Sequence, residues 1–106
     1  MQMSLIIEFI KSQVASDNYE LSIHADDERI NDNIEFAELE DALLNGEIIE
    51  NYPNDPRGVS CLVLGYTRAS RPIHIVCGKT KQGRLLLITV YIPQMPKWQD
   101  SRTRNR

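Results

Sequence analysis

Apolar residues recur every three or four positions as far as Asn45-Gly46, and from Glu47 on they fall into short β-type runs ending at Ile92. That change of period restricts the fold, because helical segments followed by a series of strands give an α+β domain rather than alternating βαβ units. Ser4 is placed to cap a first helix over about 4–16, with Ile6, Phe9, Ile10 and Val14 as its apolar stripe. Ser22 is placed to cap a second, short helix holding His24, Glu28 and Ile30. A third carries Phe36, Leu39, Ala42 and Leu43, with Glu35 and Glu38 suiting its positive N-terminal end and Asn45-Gly46 stopping it. The β-type runs are Ile48 to Tyr52, Ser60 to Tyr66, Ile73 to Gly78 and Leu85 to Ile92. The expected architecture is N-terminal helices packed on a four-stranded antiparallel meander. Residues 1–98 make one domain, and 99–106 read as an irregular basic tail, the irregular character beginning at Pro93.

Register follows from the turns. A two-residue turn at Gln82-Gly83 sets His74 opposite Tyr91, with Ile73, Ile75, Cys77, Leu86, Ile88, Val90 and Ile92 on one face. The other face then holds His74, Val76, Leu85, Leu87, Thr89 and Tyr91. In the preceding hairpin, turning through Thr67 to Arg71, Tyr66 pairs with Pro72 and Cys61 with Cys77.

The change of period coincides with a change of charge. Fourteen Asp and Glu stand in residues 1–55 against only Lys11 and Arg29, while ten Lys and Arg stand in 56–106 against Asp100 alone. Such a division implies either a basic surface for an anionic partner such as nucleic acid, or two halves that neutralise each other on folding. The longest apolar runs, Leu5-Ile6-Ile7 and Leu85-Leu86-Leu87-Ile88, fall far short of the ~20 residues of a membrane span. The start lacks the cationic and long apolar segments of a signal peptide. A cytoplasmic protein without membrane contact is expected, its Cys61 and Cys77 reduced.

Phosphodiester cleavage needs a base, an acid and cations for the charge that develops on phosphate. His74 and Tyr91 on one sheet face are the sharpest such constellation, although a His beside a Tyr also fits a structural hydrogen-bonded pair. His24 and Glu28, one helical turn apart, fit an oriented catalytic imidazole or a surface pair. Lys79, Arg84 and Arg71, with Lys81 and Arg68, flank the hairpin turns, where they fit a phosphate-binding cluster or charges that keep turns soluble. Tyr52, Tyr66, Tyr91 and Trp98 fit base stacking or packing. There is no Cys-x-x-Cys, and the register sets both cysteines on the face away from His74. A Gly-rich phosphate loop and a Gly-flanked nucleophilic Ser are absent too, so no metal and no cofactor is expected.

The runs Tyr19 to Ala25 and Leu39 to Pro53 resemble the family known as domain of unknown function 4258. So do Asp55 to Gly58, Ser60 to Gly65, Arg71 to Gly78 and Ile88 to Tyr91, for a resemblance over about residues 19–98. That family is itself similar to the RelE superfamily, including BrnT-type and MqsR-type toxins, which are small metal-independent ribonucleases encoded beside an antitoxin. The resemblance implies a RelE-like fold, RNA as substrate and a cognate antitoxin protein as partner. By position it carries a His-Ala motif onto His24-Ala25, a strand histidine onto His74 and a Thr-Val-Tyr motif onto Thr89-Val90-Tyr91. The family's arginine four residues after the first histidine is here Glu28, with Arg29 next. The implied reading is a toxin-type endoribonuclease with His74, Tyr91 and His24 at its centre and Lys79, Arg84 and Arg71 on phosphate. The competing reading is a non-catalytic binding or regulatory module.

Overall fold

The computed structural model describes residues 5–105; the Ser4 cap and Arg106 lie outside them. Three helices, α1 (Ile7–Ala15), α2 (Ile23–Asn31) and α3 (Phe36–Leu44), accompany five strands: β1 (Tyr19–Leu21), β2 (Glu47–Tyr52), β3 (Ser60–Tyr66), β4 (Pro72–Lys79) and β5 (Leu85–Tyr91). The sheet order is β1-β5-β4-β3-β2. The fold is α+β, and the four-stranded antiparallel meander is present as β2 to β5. A fifth strand corrects the expected all-antiparallel sheet. β1 runs parallel to β5, Tyr19 to Leu21 against Leu85 to Leu87, and makes the sheet mixed.

Local chemistry explains the helices. The Ser22 hydroxyl accepts the Ala25 N–H at 3.0 Å and donates to the Ile88 carbonyl at 2.8 Å, so one cap starts α2 and ties it to β5. Glu35 and Glu38 form a reciprocal capping box on α3. At its other end the Asn45 side chain both donates to the Tyr66 carbonyl and accepts the Tyr66 N–H, docking the helix end on β3. In α1, Leu5 enters the core in place of the expected Ile6, which is the cap residue and is 45 % exposed. Gly65 lets α3 lie against the sheet, since a Cβ there would fall 1.8 Å from the Ala42 carbonyl oxygen.

Two three-residue loops of the same design close the last two hairpins. Thr67 and Thr80 each bond across to Arg71 and Arg84 by backbone and side chain, and Ser70 and Gly83 take positive φ. The loop Lys81-Gln82-Gly83 is one residue longer than the expected turn and shifts the inner register to Lys79 against Leu85 and Cys77 against Leu87. A bulge at Ile88 restores His74 against Tyr91. The consequence is a correction: Leu85 and Leu87 are wholly buried in the core, and Leu86 and Ile88 leave it.

The core lies between the helices and one sheet face, where Ile10, Val14, Ala25, Ile34, Leu39 and Leu43 meet Cys61, Val63, Ile73, Ile75, Cys77, Leu85, Leu87 and Val90. Among the described residues no helix packs on the opposite face. The segment from Pro93 covers it instead, folding back as a hairpin with Trp98 bridged to Arg104, the Gln99 N–H on the Thr103 carbonyl and the Asn105 N–H on the Lys97 carbonyl. Trp98 is only 2 % exposed. Residues 99–105, expected as part of an irregular tail, form an ordered strap.

Candidate functional site

On the helix-free face β4 presents His74, β5 presents Tyr91, and β2 presents Glu50 and Tyr52, opposite Leu62 and Ser60 of β3. The strap adds Trp98, Ser101 and Arg104. Trp98 Nε1–H donates to the Tyr91 hydroxyl at 3.2 Å, Tyr91 O–H donates to His74 Nδ1 at 3.1 Å, and His74 Nε2–H donates to the Ser101 carbonyl at 2.6 Å. Of the two neutral tautomers, only the one with its proton on Nε2 satisfies both ring bonds. The Trp98 and His74 rings meet edge to face with centroids 4.3 Å apart.

Arg104 stacks over Trp98 and reaches both Glu50 oxygens, at 3.0 and 2.8 Å, while Tyr52 donates its phenol to Glu50. Burial holds the His74 pKa below the usual histidine value, opposed by the bond to Ser101 and the charge of Glu50. Burial likewise raises the Tyr91 phenol. Tyr52 is raised by burial and then by its bond to Glu50. At neutral pH the face therefore holds a neutral imidazole, two protonated phenols and a carboxylate–guanidinium pair. Among the described residues no buried side-chain polar atom lacks a partner.

The structure brings His74 and Tyr91 together and leaves the other expected site residues elsewhere. His24 stands on α2, on the helix-covered side, with its side chain 68 % exposed and Nε2 3.3 Å from Glu28, whose Oε1 also accepts the Val90 N–H. Arg84 bonds Asn18, Glu20 and the Tyr19 carbonyl, and Lys79 sits over the Phe9 ring, both at one end of β4. Arg71 is at the other end, paired with Glu38 and donating to the carbonyls of Asp32 and Asn33. The length of β4 puts Arg71 and Lys79 roughly 25 Å apart, so these cations form no common phosphate site.

Six arginines of the basic half, Arg57, Arg68, Arg71, Arg84, Arg102 and Arg104, pair with Asp55, Asp41, Glu38, Glu20, Glu47 and Glu50 of the acidic half. Of the two meanings of the charge division, mutual neutralisation is what this fold displays. Tyr52 and Trp98, read from the sequence as aromatics for stacking or packing, join the cluster, and Glu50 and Arg104 complete it without a sequence signal of their own, except that Glu50 alternates with Tyr52 along one strand and so shares its face. No helix of the described residues is long and apolar enough to cross a membrane.

A family model described as "Domain of unknown function (DUF4258)" matches residues 21–92. No curated protein matches the chain, and no solved structure does. The matched span contains His74, Tyr91, Glu50 and Tyr52 and ends before the strap that supplies Trp98, Ser101 and Arg104.

Proposed function

The chain belongs to the DUF4258 family, and since that description names no activity, we propose from its own chemistry that it is a RelE-like, metal-independent endoribonuclease working on the helix-free face. The observation that carries the reading is the gathering of His74, Tyr91, Glu50 and Arg104 there, the types that proton transfer and phosphate charge require.

RNA reaches His74 only when Ser101 moves aside. The ring can then hold its proton on Nδ1, donate it to the Tyr91 oxygen and turn the Nε2 lone pair to the ribose 2′-hydroxyl. Tyr91, kept protonated by its raised pKa, is thereby free to donate to the leaving 5′-oxygen. Arg104, exchanging Glu50 for phosphate, offsets the charge on the transition state. The products are a 2′,3′-cyclic phosphate and a free 5′-hydroxyl. An antitoxin protein holding the chain inactive in the cytoplasm belongs to the same reading.

The test is incubation of the folded full chain with RNA in excess chelator. Cyclic-phosphate ends are expected, reduced about a hundredfold or more in Tyr91→Phe and His74→Gln, with induced expression of the wild type arresting growth. Circular dichroism of both variants separates lost chemistry from lost folding. Intact RNA with correctly folded wild type rejects the ribonuclease. One observation favours the second reading, a binding or regulatory module: both His74 nitrogens are bonded under the strap, as in a structural histidine.

A further inference from the structure

Cys61 and Cys77 lie directly opposite each other on β3 and β4. Both are wholly buried on the helix-covered face, and both are free thiols. Directly opposed residues of antiparallel strands hold their Cα atoms about 4.5–5.5 Å apart, inside the roughly 4.4–6.8 Å that a disulfide spans. The Cys77 thiol donates to the Ile75 carbonyl at 3.9 Å, and Cys61 stands opposite it. The facing Cys77 lowers the Cys61 thiol, while Cys61, with burial, pushes Cys77 well up, so Cys61 ionises first. No group of three or more His, Cys, Asp or Glu that could hold a metal occurs among the described residues.

We propose that Cys61 and Cys77 are a thiol-oxidation site that closes to an intrachain cross-strand disulfide in the presence of a peroxide. The Cys61 thiolate attacks one peroxide oxygen and the O–O bond breaks. The departing hydroxide takes up the proton that Cys61 had released, giving one water and a Cys61 sulfenic acid. The Cys77 sulfur then attacks the Cys61 sulfur, the S–O bond breaks as the S–S bond forms, and the hydroxyl leaves with the Cys77 proton as a second water. Two thiols lose two electrons, and one hydrogen peroxide is reduced to two waters. The bridge fastens β3 to β4 three positions along from His74 and on the opposite face, so it stands apart from any ribonuclease chemistry. Its burial makes closure slow in the folded chain, because peroxide enters only through local opening of the helix-covered face.

Full-length reduced protein is exposed to hydrogen peroxide in native buffer, alkylated after denaturation and mapped by mass spectrometry. Met95, which is 64 % exposed, serves as the internal measure of oxidant dose. The expected result is a monomer lighter by two hydrogen atoms, a Cys61–Cys77 linked peptide, loss of both alkylatable thiols and full reversal by a dithiol reductant. In Cys77→Ser, Cys61 is expected to stop at the sulfenic acid and be trapped by dimedone. The proposal is overturned if both thiols still alkylate at a dose that oxidises Met95. A Cys61 or Cys77 sulfur that gains oxygen instead of linking overturns it too, as do links that join separate chains or form only in denaturant.

Discussion

The two faces of one sheet are closed by different means. On one, three helices lay Ile10, Ala25, Leu39 and Leu43 against aliphatic strand residues; on the other, a single strap lays an indole, a carbonyl and a guanidinium against His74, Tyr91 and Glu50. An apolar face tolerates small shifts, because burial depends on area rather than direction. A polar face does not, since each buried donor must meet its acceptor at hydrogen-bond distance or lose about 1–3 kcal/mol. The helix-covered face should therefore respond to lost volume and contact, and the helix-free face to lost partners and to pH.

The largest effects belong to the helix-covered face. Leu39→Ala removes a wholly buried side chain and should cost about 4 kcal/mol, read as a fall in the urea midpoint. Gly65→Ala, which drives a Cβ into the Ala42 carbonyl, should cost about 3 kcal/mol by forcing α3 off β3. Next comes the strap. Trp98→Ala should cost about 3 kcal/mol and release the Ser101 contact, with exchange of the Gln99 and Asn105 amides rising together. A cost below about 1 kcal/mol would mean instead that the strap is a separable cover and not part of the core, erasing the symmetry between the faces and easing RNA access to His74.

The same contrast explains what the sequence disclosed. The helix-covered face was written in local periodicity, and α2, α3 and the strands from β2 to β5 could be placed from it within a residue or two. β1 escaped because three residues carry no readable alternation and its partner lies more than sixty positions away. The last hairpin holds two deviations of one residue each, a loop longer than a two-residue turn and a bulge at Ile88, which cancel at His74 and Tyr91 but not at Leu85 and Leu87. The His–Tyr pair was thus legible despite a misread turn. The strap was not, because Arg102, Arg104 and the prolines read as solvated chain until Glu47 and Glu50 are seen to receive the arginines.

A smaller effect tests whether the polar face acts as one network. Glu50→Gln weakens the bonds to Arg104 and Tyr52 together and should cost about 1.5 kcal/mol. Arg104→Met should cost a similar amount, and the double variant less than the two combined, because each single change strands the other partner. Strict additivity in urea titrations would show that the pair is an ordinary surface contact.

The smallest effect is the one that only the helix-free face can produce. Folding lowers the His74 pKa below its unfolded value, chiefly by burial. Below about pH 6.5 the unfolded chain therefore binds a proton that the folded chain refuses. The unfolded state then holds more protons, so stability rises with pH through this window. It is fully present above the unfolded pKa and is lost as the pH falls toward the lowered folded value. The loss between pH 7 and the acid side of that window should be seen as a lower urea midpoint. His74→Asn, which cannot take up the proton, should flatten this part of the profile while lowering the whole curve through its lost ring contacts. A slope that survives in His74→Asn would take the pH response away from the buried network and show that burial does not hold His74 neutral.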